Sequence, residues 1–357
     1  MVQLFSKSVV GVDIGTFSIK VAEVSLNKKK YSLDNYGEIL AASIGGHSFR
    51  AFDKSSLLLS ISQISQAIKA VLEEAEIKTK KAVFSLPDFS TFFTNFSLPA
   101  MGSRELAQAV EFEAKRYVPI PLKDLILDWK VVNEGRDKNG EEKVDIVLVA
   151  VPRGIVEQYK EIAKKAGLDL ISLEAEMFGL VKIFSDEKDP VAVLDIGAQS
   201  TTVNIIDNNI LKFSYSFDVA GNQLTKELSQ TLDVDMVKAE EEKVKHGISE
   251  EESQKTINGK STKEVLGHYV DRIVNESRIV FKNFERNNDR QISKIFLIGG
   301  SSLLPGLAEH FEEKLEKKTE TGNAFNKVSY PPLLKDTLED KGPIFSVVLG
   351  TAIKGLK

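Results

Sequence analysis

One short pattern occurs twice, about half the chain apart. Val9 to Ser18 reads Val-Val-Gly-Val-Asp-Ile-Gly-Thr-Phe-Ser, and Val191 to Ser200 reads Val-Ala-Val-Leu-Asp-Ile-Gly-Ala-Gln-Ser. A repeat on this scale implies two related domains, whereas solenoid repeats recur every ~20 to 50 residues. In each copy a β-branched run ends in Asp-Ile-Gly, passes through small polar residues and continues into an alternating stretch, Ile19 to Val24 or Thr202 to Ile206. The pattern predicts strand, tight turn, strand. Glycine at such a turn lets the backbone come close to a ligand. Successive turn N–H groups can form an anion-binding concavity, and the aspartate beside them can hold a metal ion through water. Two buried hairpins would explain either copy alone; the duplication favours a phosphate site.

Composition narrows the chemistry. The 357 residues, 42% apolar and 28% charged, suffice for two or three domains with a large core. The absence of cysteine excludes disulfides, thiolate zinc sites, iron–sulfur clusters and cysteine nucleophiles, and four scattered histidines argue against a histidine-rich metal site. A net charge of −5 supplies no global attraction to nucleic acid or anionic lipid. No run approaches the ~18 apolar residues of a membrane span. The apolar stretch after Lys7 meets Asp13 too soon for a secretory signal, so the cytosol is the expected compartment.

Between the two copies, residues 82–168 read as a compact α+β insert. Ala82 to Leu98 alternates like strands, and Leu106, Val110 and Tyr117 follow at helical spacing behind a Ser103 cap until Pro119. Strands are expected at Leu125 to Val132 and Val144 to Val151, then a helix through Ile155, Tyr159 and Ile162 that Gly167 closes. After the second copy, helices are expected at Asn222 to Leu232, Asp233 to His246 and Ser261 to Glu285, with a polar loop from Gly247 to Gly259. A buried strand at Ile295 to Ile298 runs into Gly299-Gly300, where something flat can lie on the backbone. Ser346 and Gly350, four apart, give a terminal helix a small-residue face for close packing.

In this order the pieces resemble the actin, sugar kinase and Hsp70 ATPase superfamily. Asp13 to Lys20 is similar to its first phosphate loop, Asp195 to Thr201 to its second, Ile298 to Gly306 to its adenosine loop, and Leu173 to Leu180 and Ser346 to Ala352 to its connecting helices. The insert lies where the FtsA and PilM families carry subdomain 1C. Leu98 to Met101, Glu105-Leu106, Val110 to Pro121 and Leu127 to Trp129 closely resemble the PilM family of type IV pilus assembly proteins, and Gly221 to Thr225 and Ala239 to Lys243 resemble both. Gln199 and Ala220 depart from the family, which often has an acidic residue and glycine there.

The resemblance implies an α/β, actin-like (ribonuclease H-like) two-domain ATPase fold with an α+β 1C (SHS2-type) insert. Residues 1–81 would form the first part of 1A, 82–168 the insert, 169–188 the return to 1A, 189–220 the first part of 2A, 221–290 the helical 2B, and 291–357 the rest of 2A with the C-terminal connecting helix. ATP with Mg²⁺ would occupy the cleft. Asp13 and Asp195 would hold the metal through water, and Gly15, Thr16, Phe17, Ser18, Gly197, Ala198 and Gln199 would present N–H groups to the phosphates beside Lys20. Glu240 and Lys243 would reach the ribose, and Gly299, Gly300 and Ser301 would flank the adenine. A surface ion pair is the plain reading of Glu240 and Lys243. Glu176 is the nearest candidate to orient water for hydrolysis, with Glu174 as the alternative.

By the same resemblance the chain would be a cytoplasmic ATP-binding scaffold, peripheral at the inner membrane, that captures the N-terminal tail of PilN between the first domain and the insert. Slow ATPase activity at most is expected. Pilus ATPases and further copies of the chain are the other implied partners. Phe89, Phe92, Phe93, Phe96 and the Leu106 to Tyr117 helix either line the tail groove or, as the more economical reading, form core. Two alternatives share the fold. An FtsA-like filament protein would end in an amphipathic membrane helix, whereas this sequence stops soon after Gly350; a small-molecule kinase would need a further aspartate general base, and no motif supplies one.

Overall fold

The computed structural model describes residues 7–45, 48–51, 56–136, 139–249, 256–257 and 259–356. The chain opens with an antiparallel meander, β1 (Lys7–Ile14), β2 (Ser18–Asn27) and β3 (Lys30–Leu40). A short pair, β4 (Arg50–Ala51) and β5 (Ser56–Leu57), precedes α1 (Ile61–Glu74), which starts on a Ser60–Gln63 capping box and buries Ile64, Ala67, Ile68 and Val71. It leads to β6 (Lys81–Leu86), parallel to β1.

β7 (Phe92–Pro99), α2 (Ser103–Ala114), β8 (Leu125–Arg136) and β9 (Glu142–Pro152) form a separate unit: an antiparallel sheet in the order β7-β9-β8, with Leu106, Val110 and Ala114 of α2 packed on it. α3 (Arg153–Ala166) ends at Gly167, whose φ of 78° supplies the left-handed cap. β10 (Asp169–Ala175) pairs parallel with β6, and α4 (Glu176–Phe184) follows.

The second half repeats the plan. β11 (Val191–Ile196), β12 (Thr201–Asp207) and β13 (Ile210–Phe217) form another meander; then come α5 (Gly221–Leu232), α6 (Met236–His246), the small hairpin β14 (Thr256–Ile257) and β15 (Lys260–Ser261), and α7 (Thr262–Asn288). β16 (Lys294–Ile298), parallel to β11, α8 (Leu307–Leu315), β17 (Lys318–Thr321), α9 (Lys335–Lys341) and α10 (Ser346–Gly355) complete the chain. The sheet orders, β10-β6-β1-β2-β3 and β13-β12-β11-β16-β17, are the same scheme read from opposite edges. The sequence repeat is thus a repeat of topology.

α4 and α10 cross where the halves meet. A Cβ on Gly350 would lie 2.4 Å from the Gly179 carbonyl oxygen, and one on Gly11 would lie 2.4 Å from that of Val348. The small face expected on the terminal helix therefore lets α10 press on both α4 and β1, amid the largest apolar cluster, which draws residues from both halves.

Several boundaries differ from the sequence expectation. Residues 82–86, read as opening the insert, belong with Lys81 to β6 of the first sheet, and α3 packs on α1 through Ile155, Tyr159 and Ile162. The insert is therefore shorter at both ends than 82–168, because an alternating strand does not reveal which sheet it joins. Gly102, not Ser103, is the N-cap of α2. Leu173 to Ala175 end a strand, so the connecting helix begins at Glu176. Within the polar Gly247 to Gly259 loop, 250–255 and 258 lie outside the described residues. Of the insert's aromatics, Phe96 stacks on Tyr117 at 5.6 Å and Phe92 joins a small core with Val118 and Leu125, both inside the insert, whereas Phe93 meets Phe178 of α4 edge-on. Phe89 lies beneath the Arg50 guanidinium.

Candidate functional site

The two Asp-Ile-Gly turns face one another across a cavity of about 430 Å³. In both, the glycine N–H is used inside the turn: Gly15 donates to the Ser18 carbonyl (3.0 Å) and Gly197 to that of Ser200 (2.9 Å). Each is thus a hairpin whose tip is a residue pair, Thr16–Phe17 or Ala198–Gln199, and the expectation that Gly15 and Gly197 present N–H groups to an anion is corrected. Their role is space: a Cβ on Gly15 would sit 2.9 Å from the Ser18 carbonyl oxygen.

Asp13 is the second-last residue of β1, where its register partner on β2 is Lys20, and its Oδ1 accepts from the Ser85 hydroxyl of β6 at 2.7 Å. Lys20 donates to Ser18 Oγ at 2.8 Å and lies 3.8 Å from Glu38. Asp195 holds the matching place on β11. Gly299, at φ 84° and ψ 166°, passes so close that a Cβ there would lie 2.4 Å from Asp195 Oδ1. Ser301 Oγ donates to the Gly197 carbonyl at 2.9 Å, joining the Gly-Gly loop to the second turn.

Asp13, Gly15, Thr16, Phe17, Ser18, Lys20, Asp195, Gly197, Ala198, Gln199, Glu240, Lys243, Gly299, Gly300 and Ser301 all line the cavity, as does Glu176. Lys243 is buried: its ammonium donates to Glu240 (2.7 Å), Thr225 Oγ1 (2.8 Å) and the Gly221 carbonyl (3.3 Å). It therefore ties α6 to the start of α5, which is more than a solvated surface pair does. Glu174 does not line the cavity and pairs with Lys354. The exposed Val244 and Leu303 and the buried Leu304 add apolar wall.

The base of the cavity is a buried charge cluster. Glu176 Oε1 accepts from Arg50 Nη2 at 3.0 Å, and its Oε2 accepts from the Asp88 N–H at 3.1 Å. Asp88 Oδ1 in turn accepts from the Met177 N–H at 3.0 Å, satisfying an orphan donor in the first turn of α4. Burial, and then the charge of Asp13, pushes the Glu176 carboxyl up against the pull of Arg50. Burial and Glu176 raise Asp88 well above the usual range. Burial, then Glu176 and Asp13, bring Asp195 to about 7. For Arg50, burial opposes the charge, yet Glu176 and Asp13 hold its pKa above the ordinary value.

Sequence reasoning missed Arg50, Ser85, Asp88 and Glu38. Arg50 has no motif around it, and Ser85 and Asp88 were assigned to the insert.

A family model described as type IV pilus assembly protein PilM matches residues 11–356. The chain belongs to the PilM family. It is similar to a chain of the solved "PilM-PilN type IV pilus biogenesis complex", with 22% identity, a TM-score of 0.83 and 98% of each chain covered. MreB5 of Spiroplasma citri, solved with AMPPNP, aligns at a TM-score of 0.54 and 13% identity over 97% of this chain and 95% of that one. Cell division protein FtsA of Streptococcus pneumoniae is 25% identical over 344 residues, 85% of this chain and 72% of that protein. The fold is actin-like, and its first half carries the α+β insert. Among the described residues no helix is long and apolar enough to cross a membrane.

Proposed function

We propose that this chain is an ATP-binding scaffold of type IV pilus assembly. It captures the N-terminal cytoplasmic tail of a PilN-type inner-membrane partner and links that membrane subcomplex to the cytoplasmic machinery. The observation that carries the nucleotide reading is the cavity, in which both Asp-Ile-Gly turns, the Gly-Gly loop and the start of α5 converge although they come from four separate parts of the chain. ATP's phosphates would lie between the tips Thr16–Phe17 and Ala198–Gln199, with Lys20 as cation, and the adenine against Gly299, Gly300 and Ser301.

The donor set suits Mg²⁺. Asp13, Asp195 and Glu176 put three carboxyl groups around one space, where burial and then the charges of Glu176 and Asp13 raise the pKa of Asp195 to about 7. Among the described residues no three acidic or histidine side chains form a coordination cluster. This agrees with an ion bound through one or two carboxylates, water and phosphate oxygens. Mg²⁺ would supply charge neutralisation at the phosphates. Slow hydrolysis at most fits Glu176, since both its oxygens already accept hydrogen bonds.

The partner reading rests on family membership and on the similarity to the PilM–PilN structure. The test is calorimetric titration of a PilN-type N-terminal peptide into the full chain, with and without Mg·ATP. Micromolar binding is expected. No binding in either state would overturn the partner reading, and equal affinity in both would remove nucleotide coupling.

A further inference from the structure

We propose that the end of the first sheet remote from the nucleotide cavity is a basic face that rests on an anionic lipid surface. Topology gathers the lysines there. β1, β6 and β10 all begin at this end, the β2–β3 hairpin turns at it, and α1 and α3 finish at it because they lead back into β6 and β10. Lys7 and Lys81 start their strands, and Lys28 to Lys30 carry the chain through the hairpin turn. Lys80 and Lys164 line an open cleft with Lys160, and Lys78 precedes β6.

Lys160 and Lys165 are neutralised within α3 by Glu157 and Glu161. The other eight lysines of this end are exposed and have no ion-pair partner among the described residues. The carboxylates that offset them are Glu73, Glu74 and Glu76 at the end of α1 and Asp169 at the start of β10. The face therefore holds a surplus of four positive charges in a chain whose net charge is −5. Across a five-stranded sheet with strands ~4.8 Å apart, it is about 20 Å wide.

The second half is an internal comparison. Its equivalent hairpin turns through Asn208 and Asn209 at φ 51° and 62°, positions that favour asparagine and glycine. Lys28 and Lys29 hold the same conformation, φ 45° and 67°, without that preference. At the second half's end Arg290 pairs with Asp207 at 2.8 Å, and Lys294 pairs with Glu187 at 2.9 Å and Glu320 at 3.3 Å. The shared architecture thus requires no unpaired lysines here, and those of the first half face an external anion. Lysine without arginine, spread over more than twice the ~8 Å Debye length, suits many dispersed headgroup charges better than one bidentate phosphate contact. The choice of a membrane as that anion rests on the proposed function, which sets the chain beside its partner's membrane.

The test is co-sedimentation of the full chain, without peptide or nucleotide, with vesicles of about 30% phosphatidylglycerol in phosphatidylcholine at low salt. Binding at least about fivefold above that to pure phosphatidylcholine is expected, falling severalfold as salt rises from about 20 to 200 mM. Lys80→Glu/Lys164→Glu cancels the surplus and should lower the bound fraction about fivefold or more. Lys226→Glu/Lys282→Glu changes two exposed lysines of the second half, and with them the net charge, by the same amount; its loss should stay below about twofold. Equal losses in the two variants would overturn the placement of the face. Should the first variant not fold, the wild type still decides: no binding, or equal binding to both vesicle types, would overturn the lipid contact. Duplex DNA bound while anionic vesicles stay free would replace the membrane with nucleic acid. Failure of the PilN-type peptide titration leaves this result standing, so the two readings fail separately.

Discussion

Gly299→Ala should be among the most damaging single-methyl changes in the second half. At φ 84° and ψ 166° the backbone occupies a region essentially reserved for glycine, and forcing alanine into it costs about 1–3 kcal/mol. The added Cβ would lie 2.4 Å from Asp195 Oδ1 and 2.6 Å from the Ile196 carbonyl oxygen. Those atoms must move by about 1 Å to restore contact, and overpacking of this kind adds about 1–3 kcal/mol. The loop cannot easily slide away, because the Gly299 N–H donates to the Pro343 carbonyl and its own carbonyl accepts from the Ser302 N–H and hydroxyl. Gly300 is the control: a Cβ there meets nothing within 4 Å. Urea unfolding of the ligand-free chain should show Gly299→Ala destabilised by roughly 2–6 kcal/mol and Gly300→Ala by no more than about 0.5 kcal/mol. Adding Asp195→Ala should relieve part of the Gly299→Ala penalty, leaving a coupling of roughly 1 kcal/mol between the sites. Equal midpoints for the two glycine variants would refute the steric and dihedral reasoning together, and strict additivity with Asp195→Ala would remove the carboxylate contact from it.

Gly350→Ala should push α10 from α4, since its Cβ would stand 2.4 Å from the Gly179 carbonyl oxygen; a loss of about 1–3 kcal/mol is expected, and an unchanged urea midpoint would refute so close a crossing. Asp195 predicts a pH dependence. With a folded pKa of about 7 against ~3.9 unfolded, its contribution is fully favourable below about pH 4, declines as pH rises to about 7 and is flat beyond. Asp195→Asn should therefore match wild type near pH 4 and exceed it by roughly 1–4 kcal/mol at pH 8 in ligand-free unfolding; a pH-independent difference would contradict the raised pKa.

The local chemistry was legible in the chain. Two Asp-Ile-Gly turns, a glycine pair after a buried strand and a helix with Ser346 and Gly350 on one face each depend on residues within a few positions of one another, and each forms as its residues dictate. Their order even implied two related halves, which the matching sheet orders bear out. Other features were beyond local reading. Whether residues 82–86 joined the insert or the first sheet depended on which edge they met, and whether Gly15 offered its N–H to an anion depended on the hairpin closing on Ser18. The charge cluster was the least visible of all. Arg50, Asp88, Glu176 and Asp195 come from four separate segments, and the proton affinity of each follows from its burial and from the field of the others. Turn and helix conformation is a short-range property of the backbone and so is written in neighbouring residues; ion pairing and proton affinity are long-range, and they exist only once folding has brought distant charges together and stripped them of solvent.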